Sequence, residues 1–416
     1  MIRSLSLCIL AGLSIVMLMS CEPQPPENLI LSLLEGRGEV VDQVLADPER
    51  YELQILYTQI DRDSVQRPIF TSHSYRLNAE QYFYPASTVK FPVAVMALEK
   101  LQLMGINGLN PQTTMLTDSA FSGQTSVRRD STSPDGMPSI EHYVRKIFVV
   151  SDNDAFNRLY EFVGQGPINQ RLQQLGLKDS RISHRLSIAM SGEENRHTNP
   201  IRFVEGEELI YEQAAAENQG ALSFPEPILR GKGVQRGGEI ISEPMDFSRK
   251  NAFPLADQQD FLTSIIFPND VNGVRPDLSE KDFQLLYQYM SQLPRETTHP
   301  AYDPAAYFDS YVKFFLYGDN KAPMPSTIRI FNKVGQAYGY LTDNAYVVDV
   351  ENEVEFLLSA TIFVNENQIF NDETYEYDEI GFPFLAELGR AVYEYELQRP
   401  RTKTPDLSRF HLRYDQ

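Results

Sequence analysis

A chain of 416 residues with 42% apolar content, 24 Phe and 22 Tyr has material for a sizeable core and reads as globular, in one large domain or two. Its formal charge of -20, without any Lys/Arg-rich block, excludes a nucleic-acid partner, because a phosphate backbone needs a basic face. Both cysteines, Cys8 and Cys21, fall in the opening segment, so the rest of the chain has no disulfide, thiol nucleophile or Cys-based metal site.

Residues 1–20 read as a lipoprotein signal peptide. Arg3 supplies a positive start, and Leu5 to Met19 is apolar but too short for a comfortable membrane span. The segment ends in Leu18-Met19-Ser20-Cys21, which resembles a bacterial lipobox and implies that Cys21 becomes the lipidated first residue. Pro23, Pro25 and Pro26 make 21–28 a short tether. The expectation is a monomer in the bacterial cell envelope, lipid-anchored to a membrane.

Leu29 to Leu45 has helical spacing, interrupted at Gly36 and Gly38. Leu53 to Ile60 and Ser72 to Leu77 read as a hairpin across the polar turn near Asp61-Arg62-Asp63. Next comes Phe83-Tyr84-Pro85-Ala86-Ser87-Thr88-Val89-Lys90-Phe91-Pro92. With a helix following, Ser87 and Lys90 project from one face, a hydroxyl beside an amine that partial desolvation can turn into its base. The pair alone is weak evidence, since Ser310-Tyr311-Val312-Lys313 repeats it in what reads as an amphipathic helix.

Helices are predicted at 92–104, 139–149, 153–163 and 167–175. About 130 residues of mixed character follow, from Pro200 to Asn332. Within them Gly231-Lys232-Gly233-Val234-Gln235-Arg236-Gly237-Gly238 lacks the Ser/Thr of a phosphate loop and reads as a flexible loop. Leu278 to Leu293 is a helix that Ser279 can cap. Strands return at Thr327 to Lys333, Asn344 to Val350 and Val354 to Val364, with a turn near Gly339. Phe384, Leu385, Leu388 and Val392 share a face of the last helix; the acidic run Asp372 to Glu379 sits at or before its start and needs no metal. The tail, 399–416, reads as loose. This order predicts an α+β fold, one antiparallel sheet closed by distant segments, with an inserted all-helical subdomain and the active site in the cleft between them.

Two further triplets could serve that cleft. Ser151-Asp152-Asn153 opens a helix, for which all three are also good N-caps. Lys333-Val334-Gly335 ends a β-rich run, where the lysine would meet a carboxylate and the glycine would admit a substrate backbone. Taken with Ser87-x-x-Lys90, in this order and context, the triplets resemble the penicillin-recognising serine hydrolases, most closely the class A β-lactamases, over about 50–202 and 326–397.

The resemblance implies one β-lactamase/transpeptidase-like domain over 29–398, with the helical subdomain at about 92–200 and an extra insertion at about 203–325. It implies acylation of Ser87, helped by Lys90, with Ser151 relaying a proton to the leaving nitrogen. Asn153 would hold the substrate's side-chain amide and Lys90, Lys333 its carboxylate, and the N–H groups of Ser87 and Gln336 the oxyanion. The substrate would be a small β-lactam or a peptidoglycan-like amide or ester, without cofactor or metal. The chain departs from the family between Gly176 and Pro200, where Glu-x-x-Leu-Asn is absent. Arg181-Ile182-Ser183-His184-Arg185-Leu186-Ser187 stands in its place, with Glu193 and Glu194 late in the loop and His184 read as structural. Val334 replaces a hydroxyl residue. Slow release of an acyl-enzyme, a penicillin-binding, DD-peptidase- or esterase-like role, or a non-catalytic anchored binding protein are the alternatives that follow.

Overall fold

A computed structural model describes residues 28–224, 227–270 and 273–414. The signal peptide, Cys21 and most of the tether lie outside these. Five antiparallel strands form the main sheet: β1 (Gln54–Arg62), β2 (Pro68–Tyr75), β3 (Ile328–Ala337), β4 (Tyr340–Asp349) and β5 (Val354–Phe363), in the order β3-β4-β5-β1-β2. The first and last thirds of the chain thus complete one sheet, with β1 paired to β5.

Burial along β4 and β5 is nearly continuous, as required of strands covered on both faces. Alternation still sorts the side chains. Ala345 and Val347 face a core shared with the helices Leu29–Leu34 and Glu39–Ala46, whereas Tyr346 and Val348 face the core of the helical subdomain. The subdomain is built around α1 (Lys90–Met104), which is buried on nearly every side and accordingly apolar all round. Around it pack α2 (Ile140–Val150) and α3 (Asn153–Val163).

The long segment expected as an insertion is only partly one. Helices α4 (Leu255–Ile266) and α5 (Glu280–Ser291) within it supply Phe261, Ile265, Leu286 and Met290 to the main core. Gln259 on α4 bonds Thr58, the Leu56 carbonyl and Ser359, fastening that helix to the sheet. Ser279 caps α5 in a reciprocal box with Asp282. What is added is chiefly hairpins. The glycine-rich stretch is one of them, Gly233–Arg236 paired with Glu239–Ile241 and turned by Gly237 and Gly238 at φ 58° and 88°. Two consecutive positive-φ residues are what a two-residue hairpin turn requires, and this replaces the flexible-loop reading. Ser310 and Lys313, in turn, lie at a single 3-10 turn instead of a helix, and the Lys313 Nζ is buried on the Met290 carbonyl and Asn332.

The final helix, α6 (Phe382–Gln398), packs Phe384, Leu385, Leu388 and Val392 as expected. The tail beyond it is not loose. Phe410 inserts against Tyr287, Phe331 and Tyr346, with Leu407 also buried, and Arg399 bonds Asp61 at 2.7 Å. Among the described residues no helix is long and apolar enough to cross a membrane.

Candidate active site

Three elements meet at Ser87: the turn before α1, the α2–α3 junction and the edge strand β3. From Phe83 to Glu99 every residue is buried except Ser87, which is partly exposed. Ala86, immediately before it, has φ 47°, a left-handed conformation that costs a non-glycine residue about 1 kcal/mol or more and aims the next side chain out of a tight turn. Lys90 N–H closes that turn on the carbonyls of Ser87 and Thr88.

The Lys90 amine is wholly buried, and desolvation pushes its pKa down to about 7, opposed by Asp152. It donates to the carbonyl of Ser151 and to its Oγ at 3.3 Å. Lys333, also buried, donates to the same Oγ at 2.8 Å and to the Val334 carbonyl at 2.9 Å. One hydroxyl therefore joins two amines. Burial and the neighbouring Lys90 hold Lys333 well below the ordinary lysine range.

Ser151 is not the helix cap; Asp152 is, accepting from Ala155 N–H at 2.7 Å. That frees the Ser151 hydroxyl for the cleft, and its own backbone is left-handed at φ 59°. Asn153 donates from Nδ2 to Ser187 Oγ at 2.8 Å, and among the described residues no hydrogen bond joins it to Lys90. Gly335 has a different reason from the one expected. A Cβ there would lie 2.4 Å from the Pro85 carbonyl oxygen, so the glycine lets the strand close onto the Ser87 turn of this protein. Gln336, next along, is exposed on the edge strand.

A face of α3 carries the loop over the site. Asn153, Asn157, Tyr160 and Glu161 recur at helical spacing. Asn157 bonds Leu186 through both its carbonyl (3.0 Å) and its N–H (2.9 Å), Tyr160 reaches the Asn195 carbonyl at 2.9 Å, and buried Glu161 pairs with Arg185 at 3.0 Å. The pedestal and Ser187 were missed at the level of sequence, although polar residues repeated on a helix's buried face were a usable signal.

His184 is structural, as expected. Its Nδ1 bonds the Arg185 carbonyl, its Nε2 accepts from Asn251 N–H at 3.3 Å, and it stacks on Tyr84; burial pushes it down to about 4. Glu194 bonds the Ser191 N–H at 2.7 Å, and Glu193 is largely exposed beside His197. Glu193, His197 and Glu217 bring ligand-type atoms within 4.8 Å of one another, but Arg196 stands 4.0 Å from both carboxylates and already supplies their positive charge.

This architecture, an antiparallel sheet with an inserted helical subdomain, is the β-lactamase/transpeptidase-like fold. Residues 42–224 match the model of a β-lactamase enzyme family. The solved structure of PBP-A shares the fold, with a TM-score of 0.50 at 16% identity over 90% of this chain and 99% of its own. A β-lactamase from Sphaerobacter thermophilus aligns over 89% of this chain and 98% of its own, with a TM-score of 0.46 at 14% identity. An ancestral class A β-lactamase aligns over 86% and 99%, with a TM-score of 0.47 at 14% identity. No curated protein sequence matches.

Proposed function

We propose that this chain is a serine hydrolase of the β-lactamase kind, acylated on Ser87 by a β-lactam or a related amide or ester. The observation that carries this reading is Ser87, the one partly exposed residue of a buried turn that Lys90, a desolvated amine three residues on, closes through its N–H. In its neutral form Lys90 takes the Ser87 proton as Oγ bonds the substrate carbonyl carbon. The N–H groups of Ser87 and Gln336 receive the oxyanion. As the C–N bond breaks, Ser151 gives its proton to the leaving nitrogen and is reprotonated by an amine that already donates to it. Lys333 attracts the substrate carboxylate.

Release of the acyl group is the slow step in this reading. The loop that crosses the site contributes Leu186 and Ser187, while its carboxylates are engaged or face solvent, and lack of a positioned base removes about 10²- to 10⁴-fold in rate. This favours a penicillin-binding or peptidase-like role over fast β-lactam turnover. The test is to incubate protein beginning after Cys21 with a chromogenic cephalosporin, following hydrolysis and intact mass together. A stable adduct absent from Ser87→Ala supports the reading, and sustained turnover would make the protein a β-lactamase with another base. Adduct in Ser87→Ala, or neither signal, overturns the acylation reading.

The same reading anchors the protein to the bacterial envelope through lipid on Cys21. Cys21→Ser is expected to move it from the membrane fraction to the soluble one; retention on the membrane would refute the anchor.

A further inference from the structure

A cavity of about 840 Å³ adjoins the site, bounded in part by Tyr84, Leu186, Ser187, Tyr338 and Lys250. It is distinct from a larger one, of about 1020 Å³, between 165–181 and the added hairpins. Its connection to the chemistry is covalent on two sides. Tyr84 precedes Ser87 by three residues, and Tyr338 follows Gln336 by two. Ser187 adds a third link through its bond to Asn153.

Lys250 comes from the added segment. Its Nζ lies 5.1 Å from the ring centre of Tyr338, 5.7 Å from Tyr84 and 5.9 Å from Phe247. Among the described residues its Nζ makes no ion pair or hydrogen bond, although the Asp246 carboxylate acts on it through space. The nearby charges are committed elsewhere. Asp246 accepts from the Ser248 N–H at 2.8 Å and from its hydroxyl, Arg185 pairs with Glu161, and Glu193 faces His197 at 3.4 Å. Aromatic faces hold a cation in place without neutralising it. Burial also pushes the Lys250 amine down, a shift that an incoming carboxylate would reverse.

Lys333 lies within β3, which ends at Ala337, and Tyr338 opens the turn beyond it at φ 58°, with Gln336 between the two; the strand from Lys333 to Ala337 spans roughly 13 Å. One cation thus stands within the edge strand and the other at the turn just past its end, along the line a substrate would follow. Resting on the acylation reading above, we propose that Lys250 binds a carboxylate on the acyl substituent, so that the preferred substrate carries two carboxylates, one at Lys333 and one at Lys250.

Benzylpenicillin and its α-carboxy derivative, carbenicillin, differ by that one group. Their second-order acylation rates, read as the Ser87 adduct by intact mass, are expected to favour carbenicillin by about tenfold in the wild type, as for a charge-assisted pair out of water. Lys250→Met should abolish the preference and Lys250→Arg should keep it. In the wild type, added salt should weaken it, a readout that does not depend on any variant folding. A ratio at or below one, or a ratio unchanged in Lys250→Met, overturns the proposal while leaving acylation standing. Absence of adduct with both penicillins overturns the acylation reading and this inference with it.

Discussion

Lys90 is where the chemistry of the site becomes a titration. An amine moved from its ordinary value of 10.5 to about 7 by desolvation is protonated below pH 7 and cannot accept the Ser87 proton; above pH 7 it is neutral and can. Acylation should therefore rise with pH through about 7 and level off above it, and a rate flat from pH 5 to 9 would remove Lys90 as base. Lys90→Ala should slow acylation by about 10²- to 10⁴-fold. The Ser87–Lys90 spacing was legible in the sequence because both lie on one short turn. The bonds from both lysines to Ser151 were not, because Ser151 lies 61 residues from Lys90 and 182 from Lys333. The same distance hid Lys250, which no local pattern marks.

At the scale of elements, the site depends on how closely β3 approaches the Ser87 turn. Gly335→Ala would place a methyl 2.4 Å from the Pro85 carbonyl, a backbone atom that cannot rotate away. The strand must retreat, with an expected loss of about 1–3 kcal/mol in urea unfolding and slower Ser87 labelling; wild-type behaviour in both would mean that the approach is not required. Strand and helix positions were legible in advance wherever the apolar period was regular, as in β5 and α5. The glycine-rich hairpin was not legible because its strands are only four and three residues long, too short to show an alternating pattern on either side of the Gly-Gly turn. The tail was misread because its two anchoring residues, Leu407 and Phe410, are too sparse to form a periodic pattern.

For the molecule as a whole, that tail closes the structure against both the sheet and α5. Phe410→Ala removes a ring that touches Tyr287, Phe331 and Tyr346, and a loss of about 3–5 kcal/mol is expected in equilibrium unfolding. An unchanged midpoint would restore the loose-tail reading. The sequence by itself determined the identity and order of the hydroxyl, the amines and the elements that bear them, because side-chain chemistry and short-range periodicity are local properties. Only the tertiary structure decided that Ser151 joins two lysines, that Gly335 makes room for this protein's own turn, and that Lys250 lines one cavity with Tyr84 and Ser187. Those contacts link segments far apart in the chain, and they exist only once a shared core has brought the segments together.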